Sequence, residues 1–295
     1  MAGDGALAAA RLRRRYAVRY VTGRIGLYVA AVLAALLCAG PFLWSAVTAF
    51  KRNRDLYDPA NNPFVFNRPA TADHVNYLFT DTAFPRFAWN TFWVAVLVVL
   101  ITLVLGLPAA YALARLDRPW SGPLGIAIFL VYLVPPSLLF LSLSRIVVAL
   151  GLQDSTWSLV LIYPTITIPV SVWLLMGFLK GIPRDIEEQA MVDGYSRLGA
   201  FVRAVIPLMF PGIVAVVVFA ATLTASEFIY ALAFVAPTDQ MTVSTGVPTQ
   251  LVRGDVFFWQ SLQAATVLVA VPIAVVFNLF LDRFVAGFTM GAVKG

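Results

Sequence analysis

Histidine and cysteine occur once each in the 295 residues, as His74 and Cys38, and that scarcity removes whole classes of chemistry. No disulfide framework can form within the chain, and no Cys/His zinc site can be assembled. HExxH and G-x-S-x-G are both absent, so the common metalloprotease and serine-hydrolase patterns are missing. His74 lies in a polar stretch and reads as a solvated loop residue. Lysine is nearly as rare. Lys51, Lys180 and Lys294 are the whole complement, and none follows a glycine. A phosphate-binding loop needs Gly-Lys-Ser/Thr, because backbone amides cradle the phosphates while the lysine reaches them. The chain therefore carries no P-loop, and any ATP it uses must be bound by another subunit.

Charge is scarce as well. Only 12% of residues are charged and 60% are hydrophobic, with a mean hydropathy of +0.84. Soluble chains carry about 25% charge, so this is the composition of a membrane protein. The 22 Phe and 7 Trp suit a lipid–water boundary. The net charge of +6 points to loops on an anionic membrane surface, not to a nucleic-acid groove. The arginines lie at the ends of apolar runs, with no basic face interleaved with aromatics.

Six segments exceed the roughly 20 residues that a spanning helix needs. They are residues 25–50, 88–114, 122–150, 156–180, 207–236 and 262–286. Backbone groups in lipid must bond within their own segment, so these runs are expected to be helices. Cys38 follows "AALL" as in a lipoprotein leader. However, Leu37 is too large for the position before such a cysteine, and the run continues to Phe50. The first span is read as uncleaved. With both termini on one side, 14 of the 21 Lys and Arg residues fall on that side, which places the termini in the cytoplasm. Lys51, Arg52 and Arg54 are exceptions to this rule. Residues 51–87 and 237–261 become external loops, the first rich in Asn, Asp and Pro and suited to a small cap.

Ionisable groups inside spans are few. Arg145 lies near a span end, where a long side chain snorkels to the interface. Glu227 lies deeper. A helix over 208–236 would be about 43 Å long and would place Glu227 roughly 7 Å outward of the midplane. A carboxylate at such depth costs about 2.5–3.5 kcal/mol on insertion scales, so it should face protein or water. Two roles fit: a structural hydrogen-bond partner between helices, or a pathway acceptor for a polar solute. Pro135, Pro136, Pro164, Pro169 and Pro272 kink their spans. Beside them Ser137, Ser142, Ser144, Thr165 and Thr167 either line a pathway or bond their own backbone. Ser137, Thr165 and Thr167 are the candidate pathway hydroxyls.

The segment "EEQAMVDGYSRLGAFVRAVIPL", residues 187–208, is water-compatible between two apolar runs. Pro183 suits a first helical turn. Asp185 with Glu188 three residues on resembles a capping box. Ile186, Ala190 and Met191 share one face. Asp193-Gly194 ends the helix, since glycine readily adopts the left-handed conformation. A second helical stretch starts near Ser196, and Pro207 marks the junction with the fifth span. This is a short amphipathic helix and a turn at the cytoplasmic surface, whose apolar face needs a partner: the protein's own loops, lipid headgroups, or another subunit.

"EEQAMVDG" with "FVRAVIPL" resembles the E-A-A-x-x-D-G…I-x-L-P loop of importer permeases of the ATP-binding-cassette (ABC) class. Glu188, Ala190, Asp193, Gly194, Ile206 and Pro207 match, while Gln189, Tyr195 and Ala204 depart from the pattern. "NTFWVAV" and "AAYALARL" (within residues 90–116), "LGLQDS" (150–155), "SEFIYAL" (226–232) and "GAVKG" (291–295) are similar to carbohydrate-importer permeases, most of all the maltose-type second permease. Ser226 stands where that family often has Asn. The resemblance covers nearly all of residues 25–295.

It implies an all-α membrane protein with six transmembrane helices and a cytoplasmic coupling helix, the type I importer fold. It divides the chain into a basic cytoplasmic segment (1–24), a permease domain (25–290, with coupling loop 181–206) and a cytoplasmic tail (291–295). It further implies a non-catalytic subunit of a bacterial inner-membrane importer that forms half of a pathway for a di- or oligosaccharide. Its partners would be a second permease, two ATPase subunits that bind ATP and Mg, an extracytoplasmic solute-binding protein and membrane lipid, with no nucleic acid. Ile186, Glu187, Glu188, Ala190, Met191, Asp193, Gly194 and Pro207 would serve ATPase coupling, and Lys294 and Gly295 would touch the ATPase dimer. The same architecture carrying glycerol phosphate or a glycerophosphodiester is the nearest alternative. A stand-alone secondary carrier fits less well, because such carriers keep more ionisable groups in their spans.

Overall fold

Apolar sequence without access to water becomes helix, and helices make up nearly all of the computed structural model. It describes the backbone of residues 2–116 and 118–292 and the side chains of 20–116 and 118–280. The expected tail contact at Lys294 and Gly295 lies outside the described residues. In chain order come α1 (Ala2–Ala49), the short α2 (Asn53–Leu56) and α3 (Asp73–Thr80), and α4 (Phe84–Arg115). They are followed by α5 (Ser121–Tyr132), α6 (Pro136–Ala149), α7 (Thr156–Ile162), α8 (Pro164–Gly181), α9 (Asp185–Val192) and α10 (Arg197–Ala200). A π-helical turn (Phe201–Val205) leads into α11 (Ile206–Leu208), α12 (Phe210–Ser226), α13 (Ile229–Phe234) and α14 (Val243–Leu251). The antiparallel strands β1 (Val252–Arg253) and β2 (Val256–Phe257) precede α15 (Trp259–Ala292).

Among the described residues, four stretches are long and apolar enough to cross a membrane: Tyr20–Ala49, Phe84–Arg115, Thr156–Gly181 and Trp259–Phe280. Two bent pairs bring the number to six if each is one span. The α5–α6 pair bends by 93°. Pro136 cannot donate a backbone bond, and the residue before a proline is forced out of the helical region. Pro135 accordingly has ψ 134°. The second pair, Arg197–Leu208 with Phe210–Ser226, bends by 75° between Pro207 and Pro211. The expected straight span over 207–236 is therefore corrected: the helix stops at Ser226, Glu227 is extended (φ −66°, ψ 127°), and a new helix starts at Ile229.

Helix α4, 32 residues and about 48 Å long, is the column of the fold. Near its start Phe84 and Phe87 join Leu78, Met241 and Leu251. In the middle Val94 and Val98 meet Leu159, Tyr163 and Tyr230. At its end Ala110 and Tyr111 meet Leu175, Leu179, Phe201 and Met209. The α7–α8 span is the innermost, with 61% of its apolar window buried, whereas the apolar window within Tyr20–Ala49 of α1 has no buried residue and α1 lies along α15.

The exceptional cation Lys51 is fully buried, and its Nζ donates to the carbonyls of Asn62 (3.0 Å) and Pro63 (3.1 Å). Beside it the buried Asp55 carboxylate accepts from Asn67 N and Nδ2 and from Asn61 Nδ2. Burial pushes the Asp55 carboxyl up, but the Asn67 bonds and the nearby Lys51 charge more than offset this, so its pKa lies below its ordinary value. The first loop is thus a folded cap. His74 is not a solvated loop residue. It lies half-buried in α3, and burial lowers its pKa against the opposing Asp73 charge.

Candidate functional site: a braced surface helix and a buried polar cavity

Helix α9 ends in a Schellman motif. Tyr195 N donates to Ala190 O and Gly194 N to Met191 O, both at 3.1 Å, with Gly194 at φ +92°. The glycine is required there because an L side chain is strained in the left-handed region. The start differs from the expected capping box. Asp185 is the first helical residue, and Arg184 occupies the cap position without a side-chain bond. Ser196 does cap the next helix, accepting from Gly199 N at 3.2 Å.

Glu187 turns inward. It is buried, accepts a hydrogen bond from the Tyr111 hydroxyl, and pairs with Arg115, whose Nε lies 3.2 Å from Oε2. That contact is an ion pair rather than a directed bond, since the Arg115 Nε–H is not aligned on an acceptor. Arg115 Nη2 donates to Ile182 O at 2.8 Å. The Tyr111 ring also packs on Phe201, centroids 4.3 Å apart. The C-terminal end of α4 therefore grips both α9 and the π turn that leads to α12.

This changes which residues face outward. Ile186, Ala190 and Met191 are half-buried against the chain itself, and Glu187 is inside. Glu188, Asp193, Gly194 and Pro207 are exposed. The apolar groups that project furthest are Val192 (86% exposed) and Leu198 (70%), with Tyr195 beside them under the Arg203 guanidinium. Val192 and Leu198 were missed because the sequence pattern gave one apolar stripe, and the tertiary fold used that stripe for internal packing.

A second site lies where three helices break. The α5–α6 bend, the α7–α8 junction at Tyr163 and the α12–α13 break at Glu227 line a cavity of about 440 Å³. Irregular backbone at membrane depth is tolerated where it is buried in protein or lines a wet cavity. The structure brings Thr165, Thr167 and Glu227 together here but leaves Ser137 exposed outside the lining. Thr165 spends its hydroxyl on Ile162 O (2.7 Å), and Thr167 shares one with Thr102 (2.6 Å). The Glu227 carboxylate accepts from Tyr230 N (3.0 Å) and Ala231 N (3.1 Å), closing the first turn of α13. Three cavity-lining residues missing from the sequence reading have buried hydroxyls: Tyr163, Tyr230 and Thr224, of which those of Tyr230 and Thr224 have no hydrogen-bond partner among the described residues. The Tyr163 hydroxyl lies beside the Glu227 carboxylate, its charged neighbour and hydrogen-bond acceptor. Tyrosines in apolar runs read as core, so no local signal marked them.

The bundle is long and its helices are bent, with a gripped surface helix at one end and a largely apolar cavity at the three helix breaks. Residues 88–289 match the family of binding-protein-dependent transport system inner membrane components, and the chain belongs to that family. It is 32% identical over 279 residues to the sulfoquinovosyl glycerol transport system permease protein SmoH of Agrobacterium fabrum, covering 94% of this chain and 96% of that one. It is 32% identical over 281 residues to the trehalose/maltose transport system permease protein MalG of Thermococcus litoralis, covering 93% and 98%. Its fold is similar to a chain of a bacterial ABC transporter involved in import of the acidic polysaccharide alginate (TM-score 0.74, 18% identity, 88% of this chain and 97% of that one). The chain is a multi-pass membrane permease, a non-catalytic transport component with the type I importer fold.

Proposed function

We propose that the chain is one of two permease subunits of an ATP-driven importer that takes up a sugar, a di- or oligosaccharide. A solute-binding protein delivers the sugar outside, and two separate ATPase subunits hold ATP and Mg inside. Both termini lie in the cytoplasm. The sugar assignment rests on the relatives, whose names include trehalose/maltose and diacetylchitobiose systems. The observation that carries the coupling role is the braced helix α9. It holds Val192 in water at 86% exposure, while its inner face is fixed to α4 through Glu187. An exposed apolar group on a rigid element suits a groove on a partner.

In this reading Glu188, Asp193, Gly194, Val192 and Leu198 contact the ATPase. Ile186, Ala190 and Met191 support that surface from behind, Glu187 positions it, and Pro207 sits at the joint to the fifth span. ATPase closure would move α9 as a rigid body, and the Glu187 grip would pass the motion to α4. Lys294 and Gly295 would add a tail contact to the ATPase dimer.

The test is co-purification and uptake. The chain expressed with its partners should retain the ATPase and take up sugar only with ATP, while the chain alone should show neither activity. Reporter fusions after Gly295 should be active inside, and those near Asn61 outside. Uptake by the chain alone in liposomes would overturn the proposal.

A further inference from the structure

Phe64, Val65 and Phe66 are three consecutive apolar residues at 70%, 50% and 45% exposure. Apolar side chains scattered singly over a surface are ordinary, but a contiguous exposed patch marks a contact. This patch stands on a polar base. Asn62 N donates to Asn67 Oδ1 (3.2 Å), and Asn67 Nδ2 donates back to Asn62 O (2.9 Å), closing the loop beneath it. Phe64 N donates to Asn62 Oδ1 at 2.9 Å. The base is in turn tied to the end of the first span. Lys51, two residues beyond the end of α1, donates from Nζ to Asn62 O and Pro63 O, and Thr71 N donates to Phe50 O at 2.9 Å. Both ends of residues 64–70 are therefore fixed beside the point where the apolar stretch Tyr20–Ala49 stops.

The surroundings have the composition of a lipid–water boundary. The exposed Tyr57 donates its hydroxyl to Phe257 O at 3.4 Å, and Phe257 stacks on Trp259, centroids 5.0 Å apart, where the α15 span begins. The α1 and α15 spans lie side by side, and aromatic rings are enriched at headgroup level. Arg52, Arg54 and Arg68 are exposed and form no ion pair among the described residues. Lys51 and Asp55 are buried, which leaves Asp58 as the exposed acid of residues 51–70, so exposed cations outnumber exposed acids three to one.

We propose that the first loop is an anchor in the membrane interface: Phe64, Val65 and Phe66 insert into the leaflet at the end of α1, while Arg52, Arg54 and Arg68 meet the phosphates of anionic lipids. The partner is a lipid surface. The cations that depart from the charge asymmetry of the loops then have a reason, since Lys51 is an internal strut and the arginines face phosphate. A soluble protein is the competing occupant. The tether to the span end and the aromatic row of Tyr57, Phe257 and Trp259 favour lipid. The proposal needs only the membrane class of the chain and is independent of its solute and its ATPase.

The experiment places the full chain, with the subunits that co-purify, in nanodiscs of phosphatidylcholine with or without phosphatidylglycerol. Cys38→Ser removes the native cysteine, and a nitroxide is attached through Val65→Cys or, as a control on the same loop, through Ala60→Cys. Accessibility to oxygen, which concentrates in lipid, is compared with accessibility to a water-soluble nickel complex. The label at position 65 should lie about 5–10 Å into the headgroup and acyl boundary, and the label at position 60 should lie in water. Phosphatidylglycerol should move the first label deeper, and Arg52→Gln, Arg54→Gln and Arg68→Gln together should abolish that shift. Phe64→Ser with Phe66→Ser should return the label to water. These changes leave the Asn62–Asn67 base intact, and slow proteolysis of residues 51–70 in detergent checks that the loop stays folded. If a variant unfolds, the depth in the parent decides. A parent label in water, or one unmoved by the two serine substitutions in a folded loop, would overturn the proposal. So would a parent label shielded from both reagents, which would mark a protein occupant.

Discussion

Replacing Glu187 by alanine should release the surface helix while leaving the membrane spans in place. The side chains of Arg115 and Glu187 are 6% and 8% exposed, so their pair is shielded from solvent. Removing one partner of a buried pair leaves an uncompensated charge, at a cost of about 3–5 kcal/mol. The Tyr111 hydroxyl loses its acceptor at the same time, but the three groups form one network and their costs do not add. The energy falls on a small unit. Helix α9 has only 8 residues, and a helix that short is marginal without tertiary contacts. A loss of about 3 kcal/mol raises the population of locally opened states by roughly a hundredfold.

Hydrogen exchange by mass spectrometry should therefore show residues 185–196 exchanging about a hundredfold faster, with α4 and α8 unchanged, and the ATPase should no longer co-purify. Glu187→Gln keeps an acceptor for Tyr111 and should fall between the two. Replacing the whole cluster by apolar groups of similar volume (Tyr111→Phe, Arg115→Met, Glu187→Leu) should recover most of the protection, since an apolar substitute for a buried pair is often neutral. If α9 in Glu187→Ala exchanges within about fivefold of the parent, the grip is not what holds the helix, and the proposed route from α9 to α4 fails.

Gly194→Val should cost about 1–2 kcal/mol at a left-handed residue and weaken ATPase binding. Because no atom of the described residues beyond its chain neighbours lies within 4 Å of a Cβ there, Gly194→Asn, which tolerates that conformation, should be far milder in the same pull-down. Gly246→Ala would place its Cβ 2.6 Å from three ring atoms of Phe87. The overpacking should cost about 1–3 kcal/mol and lower the Tm of the solubilised importer, with Phe87→Leu partly restoring it. The Asp55 pKa is depressed in the folded loop, so its stabilisation is full above the unfolded value near pH 4 and is lost as pH falls through the lower folded value. Limited proteolysis of residues 51–70 should accordingly be slow at pH 6 and fast at pH 3, and Asp55→Ala should cleave fast at both.

The helical membrane class was fixed by composition, because a chain with 12% charge cannot solvate itself and lipid admits only self-bonded backbone. The surface helix, its glycine stop and the proline kinks were equally local, since caps, left-handed turns and missing N–H groups act within a few residues. Motifs quoted without a mechanism acquired one only in three dimensions. Asn90 of "NTFWVAV" donates to Asp239 O and Met241 O and ties the loop before α14 to α4. Tyr111 and Arg115 of "AAYALARL" hold Glu187. Glu227 of "SEFIYAL" caps a helix that begins where a continuous span was expected.

The first two pairings are distant in the chain: 149 residues for Asn90 and Asp239, 76 for Tyr111 and Glu187. Periodicity identifies an apolar face but not what covers it. Hence Ile186, Ala190 and Met191 stood out as one apolar stripe, whereas only the fold shows that they are half-buried and that Val192 and Leu198 are the more exposed apolar groups. The same limit applied to the cavity. Tyr163 and Tyr230 sit in apolar runs 67 positions apart, and only the convergence of the three helix breaks places both beside one carboxylate.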